Sequence, residues 1–132
     1  MIKTKIINEV LGSPKEHVEN TMKLLIDNVK KNKNLKFNSE KIFEAVQLED
    51  KPLYSSFAEL EIEFDILESV VGFCFDYMPS SIEILEPSEL KLNAVNVSEL
   101  FNELMARLHN NEMLLRNALA ELSLLKKDKR TT

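Results

Sequence analysis

The sequence predicts an α+β fold in which a four-stranded sheet carries two helices and is followed by one long helix. Over residues 1–92, segments with a period of two residues alternate with segments of helical periodicity in the order β-α-β-β-α-β. From residue 96 to 127 a single helical register continues for about four heptads. We therefore expect a domain at 1–92 and, within the same structural unit, a long amphipathic helix at 96–127 that serves as an oligomerisation element.

The composition is that of a globular chain with a well-solvated surface. Apolar residues make up 44% of the 132 residues and charged residues 30%, so we expect one domain with a hydrophobic core. The net charge of −5 argues against nucleic acid and against an anionic membrane as partners, because both attract concentrated Lys and Arg. The chain has no apolar run of membrane-spanning length, and its N-terminus lacks a signal-peptide core, so we expect a cytoplasmic protein.

The first strand and the first helix are indicated by a change of period. Residues 2–11 alternate between two faces, as a strand does. In the segment "SPKE" that follows, Ser13 and Glu16 have the spacing of a capping box, and Pro14 suits the first helical position. An apolar stripe at steps of four, three and four then predicts a helix over 14–32: Val18, Met22, Leu25 and Val29.

The next two strands are predicted to form a hairpin. Residues 35–49 alternate, with a break near Asn38, and the segment "EDKPL" marks the turn that follows. The segment "SSFAELEIEF" at 55–64 alternates apolar and acidic side chains so regularly that one face is expected to be buried and the other open.

The second helix is expected between Asp65 and Pro79. Asp65 and Glu68 repeat the capping-box pattern, and Pro79 stops the helix. Its apolar face is predicted to consist of six residues: Leu67, Val70, Val71, Cys74, Tyr77 and Met78. A short edge strand at 82–85 follows, and Pro87 ends it because proline has no N–H to donate.

Two β-α-β units joined by a hairpin suggest a specific topology. Right-handed crossovers place both helices on one face of an antiparallel sheet with the spatial order 4-1-3-2, the ferredoxin-like arrangement. By parity the open face of that sheet carries apolar side chains, which we expect to be covered by the C-terminal helix, a second subunit or a ligand: Ile7, Leu11, Phe43, Ala45, Phe57 and Leu85.

The long helix carries an apolar register with steps of four and three from Val97 to Leu125. We expect its central positions to form the oligomer interface: Phe101, Leu104, Leu108, Asn111, Leu115, Ala118 and Leu122. Asn111 is the polar exception, and such a residue fixes register at some cost in stability. Further apolar residues flank this line, which suits a bundle of three or more helices or a helix clamped between its own sheet and a partner. The alternative is a helix that folds back alone over its own sheet.

Acidic groups and one tyrosine are the candidates for a ligand face: Glu59, Glu61, Glu63, Asp76 and Tyr77. The three glutamates project from one strand and, with Glu83, offer oxygen ligands of the kind that divalent cations prefer. The alternative is a solvated strand face balanced by Lys3 and Lys5. For Asp76 and Tyr77 the alternative is a simple helix stop and turn.

No motif in the sequence indicates catalysis or a resident cofactor. Cys74 is the single cysteine and lies on the apolar stripe of the second helix, so we expect it to pack in the core and not to act as a nucleophile. His17 and His109 have no second His or Cys at zinc spacing, and the chain has no Gly-rich phosphate loop. We therefore expect no catalytic residue, no cofactor and no metal.

The segment "LESVVGFCFDYMPSSIEILEPSELKL" carries a resemblance to a known family. Residues 65–92 resemble the ferredoxin-like C-terminal extension of WYL-domain transcription regulators, whose last strand ends in a Leu-Glu-Pro-x-Glu-Leu signature. The matching residues in this chain are Leu85, Glu86, Pro87, Glu89 and Leu90. The chain as a whole, from "NEVLGSPKEHVENT" onward, resembles a group of small archaeal proteins of unknown function, which implies a fold and no activity.

These observations predict a non-catalytic protein that assembles with copies of itself through the long helix and the open sheet face. The alternative is a regulatory or sensor module, related to the effector domains of transcription regulators, that binds a small molecule on the open face or at a subunit junction. An unidentified protein or small ligand would then be a partner besides the chain itself.

Overall fold

The computed structural model describes residues 1–131, and the side chains of residues 1–129. It divides into two units, Met1–Lys91 and the segment from Leu92 onward. The elements are β1 (Ile2–Gly12), α1 (Lys15–Lys30), β2 (Leu35–Ile42), β3 (Val46–Gln47), β4 (Tyr54–Phe64), α2 (Leu67–Tyr77), β5 (Ser81–Glu86) and α3 (Ala94–Thr131). The fold is therefore a mixed α+β fold with a long C-terminal helix, as the sequence predicted.

The sheet of the first unit is antiparallel, and its four longer strands follow the order β2-β4-β1-β5. The two longest strands, β1 and β4, lie side by side at its centre as predicted, paired from Ile2 opposite Phe64 to Gly12 opposite Tyr54. β5 lies at the edge of the sheet and ends at Glu86, immediately before Pro87. The chain then leaves the edge where proline cannot continue the ladder.

The sheet has five strands where four were predicted, because the expected strand at 35–49 is divided into β2 and β3. Ile42 pairs with Ala58 and Val46 with Ser55, so the chain takes four steps where β4 takes three. The extra residue interrupts the ladder as a bulge does. Ala45, in the interruption, is buried, so it is not one of the apolar side chains left exposed on the open face as parity predicted.

Both helices of the first unit pack against the same face of the sheet. The core joins side chains of α1 and α2 to the alternate residues of β1 and β4: Ile2, Ile6, Met22, Ile26, Val29, Ala58, Leu60, Ile62, Phe64, Val70 and Phe73. Two polar residues of β1, Thr4 and Asn8, lie among these core side chains and donate hydrogen bonds to backbone carbonyls. Thr4 Oγ1 donates to the Ile62 carbonyl (2.8 Å), and Asn8 Nδ2 donates to the Tyr77 carbonyl (3.1 Å).

The buried side of α2 agrees with the prediction at Leu67, Val70 and Tyr77 and departs from it at Phe73 and Cys74. Phe73 is the central residue of this side, with its ring edge-on to Phe64 at 5.8 Å and against Tyr77 at 4.7 Å. Cys74 is only half-buried, and burial raises the pKa of its thiol. The helix is rotated towards Phe73 because a phenyl ring buries far more apolar area against the sheet than a thiol does.

Both predicted capping boxes are wrong. α1 begins at Lys15 with Pro14 at the N-cap, and α2 begins at Leu67 with Ile66 at the N-cap; neither cap receives a side-chain hydrogen bond. Ser13 and Asp65 each lie one residue too early, so their oxygens are out of place for the first-turn N–H groups. By contrast, α3 has a side-chain cap that the sequence reading missed: the N–H of Asn96 donates to Asn93 Oδ1 at 2.8 Å.

α3 is longer than the predicted 96–127 and has 38 residues, roughly 57 Å at 1.5 Å per residue. Two i,i+4 ion pairs, each with the glutamate on the N-terminal side, support it: Glu103 with Arg107 (3.4 Å) and Glu112 with Arg116 (2.7 Å). Across the described residues, none of the helices has the length and apolar character needed to cross a membrane.

Candidate functional site

The open face of the sheet carries charged side chains from β1, β2 and β4 that are paired with one another. Lys5 Nζ lies 2.8 Å from Glu59 Oε1, and Lys36 Nζ lies 3.6 Å from Glu63 Oε2. Asn38 Nδ2 also donates to Glu63 Oε2 at 3.1 Å. The side chains that point from β4 to this face therefore meet cations and an amide from both neighbouring strands, β1 and β2.

These contacts shift the pKa of two carboxylates downward. The hydrogen bond from Lys5, and after it the charge of Lys5, hold the pKa of Glu59 below its usual value against the opposing effect of burial. For Glu63 the main cause of the lowered pKa is the hydrogen bond from Asn38, and Lys36 adds to it. Both groups are ionised at neutral pH, so Glu59 and Glu63 are carboxylates held in place by the cations and the amide of the neighbouring strands.

The structure does not bring the five predicted ligand-face residues together. Glu59, Glu61 and Glu63 project from the open face of β4, whereas α2 packs against the opposite face. Tyr77 stacks on Phe73 at the edge of the core, and its carbonyl receives the hydrogen bond from Asn8, while the Asp76 side chain is exposed. The sheet therefore separates the glutamate row from Asp76 and Tyr77. No group of three or more His, Cys, Asp or Glu side chains within residues 1–129 is arranged to hold a metal ion.

A groove of about 760 Å³, which sequence reasoning did not predict, lies on the open face beside the interruption between β2 and β3. Its apolar lining comes from three parts of the chain: Ile7, Phe43, Val46, Leu48 and Phe57. The sequence feature that indicated this groove was the alternation of side chains along the strands, which placed Phe43 and Phe57 on the open face. Their closeness depends on the chain path at 43–45, where the Phe43 N–H donates to the Phe57 carbonyl (2.8 Å) and Ser56 Oγ to the Phe43 carbonyl (2.9 Å).

Carboxylates and hydroxyls form the rim of this groove. Ser55 Oγ donates to Glu9 Oε1 at 2.8 Å, and Lys15 forms an ion pair with Glu44 at 2.5 Å. On the β5 side, the N–H and the hydroxyl of Ser80 both donate to the Ile7 carbonyl, at 2.8 and 3.0 Å. An apolar floor with a few polar groups at its edge has the general character of a small-ligand site.

In the second unit, one line of side chains along α3 follows the predicted register, and we call it the seam: Val97, Phe101, Leu104, Leu108, Asn111, Leu115, Ala118, Leu122 and Leu125. Val97 and Leu104 are half-buried. Four large residues of the seam are exposed to 47–59% of their surface: Phe101, Leu108, Leu115 and Leu122. The apolar flanks Met105, Leu114 and Leu119 are similarly exposed. Such a long apolar stripe, with one polar residue at Asn111, is typical of a surface that associates with another protein chain.

Comparison with known proteins places the chain in a family. Residues 3–127 match the model of the MJ0538 family. A relative from the archaeon Methanocaldococcus jannaschii, "Uncharacterized protein MJ0538", is 36% identical over 101 residues, which are 75% of this chain and 37% of the relative. The chain thus matches only about a third of that relative's length, and no solved structure matches it. The predicted archaeal grouping is confirmed, while the resemblance of residues 65–92 to the WYL-associated extension stays a hypothesis. The chain belongs to the MJ0538 family.

Proposed function

We propose that this chain is a non-catalytic assembly module that joins copies of itself through the seam of α3. One observation supports this most strongly. Four large apolar side chains are exposed along one helix at a constant spacing of seven residues: Phe101, Leu108, Leu115 and Leu122. Burying a leucine fully is worth about 1.5–3 kcal/mol, and each of these side chains has about half its surface left to bury. Isolated helices are also marginal in water, and packing of an apolar stripe is what usually stabilises them.

The decisive experiment compares two substitutions on opposite sides of α3. Leu115→Asp places a charge in the seam, whereas Met113→Asp places the same charge two residues away, on the side of the helix away from the seam, where exposure is nearly equal at 55% against 58%. Light scattering over a range of concentrations should give an oligomer for the parent chain and for Met113→Asp, and a monomer for Leu115→Asp. An oligomeric Leu115→Asp variant would refute assembly through the seam.

We also propose that the first unit, which contains the sheet, takes part in the assembly. The element order β1-α1-β2-β4-α2-β5 supports the proposal that this unit is ferredoxin-like, with the two-residue strand β3 as an addition. The open face would then contribute to assembly through the apolar side chains that remain exposed on it, Leu11, Phe43 and Phe57.

A second candidate function is binding of a small apolar ligand, as in a sensor module related to the effector domains of transcription regulators. The observation that favours it is the groove floored by Phe43 and Phe57. Nile red, a neutral apolar dye, should gain fluorescence on the parent chain and lose most of that gain in Phe57→Ala. Leu24→Ala, at an exposed leucine of α1, is the control and should behave as the parent. Equal fluorescence for all three chains would remove the groove from consideration.

A further inference from the structure

We propose that the occupant of the α3 seam is the α3 helix of a second copy, running parallel and in register. This inference rests on the proposed function, because it specifies the direction and register of the assembly that the function requires. It is carried by the residues that flank the seam, whose charges and apolar groups match in one arrangement and conflict in others.

The flanks follow from the heptad positions of the seam. With Phe101, Leu108, Leu115 and Leu122 at a, and Leu104, Asn111, Ala118 and Leu125 at d, two sets of flanking positions result. The g positions hold Leu100, Arg107, Leu114 and Glu121. The e positions hold Met105, Glu112, Leu119 and Lys126.

In a parallel, in-register pair each g residue faces the e residue five places later on the other helix. The four contacts that result are Leu100 with Met105, Arg107 with Glu112, Leu114 with Leu119, and Glu121 with Lys126. Apolar residues thus meet apolar residues, and opposite charges meet, in strict alternation along the helix. The same contacts form in a dimer and in a parallel trimer, so the pattern specifies direction and register and leaves the number of chains to the measured mass.

An antiparallel pair gives a poorer match, because g then faces g and e faces e. The register of greatest overlap matches Arg107 with Glu121, but it places Glu112 opposite Glu112 and Asn111 of the seam opposite Leu115. The registers displaced by one heptad in either direction place a charge opposite an apolar side chain, Arg107 opposite Leu114 in one and Glu112 opposite Leu119 in the other. Arrangements with unmatched or like charges at these flanks are the ones that coiled coils exclude.

The two charged contacts, Arg107 with Glu112 and Glu121 with Lys126, differ in the ion pairs that their residues can form within a single chain. Arg107 and Glu112 already have partners on their own helix, Glu103 and Arg116, which they would share across the seam. For Glu121 the residues four places away are Asn117 and Leu125, neither of which is charged. The contact of Glu121 with Lys126 of a second copy is therefore the cleaner one to test.

Disulfide trapping in the full chain reads the direction of the helices directly. With Cys74→Ser as the background, Leu122→Cys places one thiol at an a position near the C-terminal end of the seam. In the parallel arrangement the two introduced thiols face each other within disulfide reach, and mild oxidation should link the chains of Leu122→Cys. A mixture of Leu104→Cys chains with Leu122→Cys chains should give no more mixed disulfide than background, since those positions lie about five turns apart. In the antiparallel register of greatest overlap each a position faces a d position, so Leu104 faces Leu122 of the other helix and both results are reversed.

A charge exchange gives an independent readout. Glu121→Lys should weaken association by roughly five-fold, because a symmetric pair loses two favourable contacts of modest strength and gains two like-charge contacts. Glu121→Lys combined with Lys126→Glu should restore parental association. Failure of the second change to restore association would overturn the proposed register.

The outcomes separate this inference from the proposed function. An oligomeric background chain in which only the mixed Leu104 and Leu122 pair forms a disulfide would overturn the parallel direction and leave assembly through α3 standing. An oligomer in which neither combination links would overturn the inference and, with an oligomeric Leu115→Asp variant, the proposed function as well. A monomeric background chain at all concentrations would overturn both.

Discussion

Replacing Phe73 by alanine tests which side of α2 faces the sheet. Phe73 is 2% exposed, and its ring meets Phe64 edge-on at 5.8 Å and Tyr77 at 4.7 Å. Truncating a buried phenylalanine to alanine costs about 3–5 kcal/mol through lost burial and the cavity that remains. The two ring contacts, worth about 0.5–1.5 kcal/mol each beyond area, place this site in the middle or upper part of that range. We expect a loss of about 4 kcal/mol.

The matched change is Cys74→Ala, at the neighbouring residue that the sequence pattern assigned to the buried side. Cys74 is half-buried and small, so we expect its loss to cost about 1 kcal/mol or less. Urea unfolding followed by circular dichroism measures both. At an m-value of about 2 kcal/mol/M, Phe73→Ala should lower the midpoint by about 2 M and Cys74→Ala by less than about 0.5 M.

The result that would refute this reasoning is an equal or larger effect of Cys74→Ala, since α2 would then present the sequence-predicted side to the sheet. Small domains have only about 5–15 kcal/mol of stability, so Phe73→Ala can leave too little folded protein to measure. Phe73→Leu, which keeps most of the apolar volume, should then show an intermediate loss and preserve the comparison.

Three further predictions concern the open face, the thiol and the cap of α3. The pKa of Glu59 is lower in the folded state than its ordinary value of 4.5, so its contribution to stability is present above pH 4.5 and is lost as the pH falls through the folded value. The urea midpoint of Glu59→Gln should therefore change less between pH 6 and pH 3 than the urea midpoint of the parent chain. Equal changes would contradict the pairing of Glu59 with Lys5. Burial raises the pKa of the Cys74 thiol, so at pH 8 it should react with a disulfide reagent several-fold more slowly in the folded chain than in urea, and equal rates would contradict its half-buried position. Asn93→Ala should lower the stability of α3 by about 1 kcal/mol, so that the helical circular dichroism signal is lost at a lower temperature on heating. Asn93→Asp should keep the stability of the parent chain, because its carboxylate can also accept the Asn96 N–H. An unchanged melting temperature for Asn93→Ala would show that this hydrogen bond contributes nothing.

Local patterns in the sequence were sufficient for the elements that one period defines. The strict alternation at 55–64 located β4 and its two faces, and the stripe of Val18, Met22 and Val29 located the buried side of α1. Pro87 marked the end of β5. In each case neighbours within one turn or one strand decide the outcome, so no knowledge of the remaining chain is needed.

The candidate site was predictable only in part. Parity placed Phe43 and Phe57 on the open face, but the groove between them depends on the interruption after Ile42, which follows from pairing with β4. The sequence did not reveal that the sheet lies between Asp76 and the glutamate row of β4, because a shared chemical type does not indicate a shared face. Distances of this kind come from strand order and crossover, which single segments do not encode.

By itself, the sequence determined the order of strands and helices and the apolar seam of α3, because both arise from periodicities of the chain's own local geometry. The tertiary structure alone decided that Phe73 and not Cys74 is buried, that Ser13 and Asp65 lie outside the helix caps, and that β3 separates from β2. In these places two local choices are close in free energy. Packing of a phenyl ring, or pairing of one strand against its neighbour, adds a few kcal/mol from contacts distant in sequence and selects one of them.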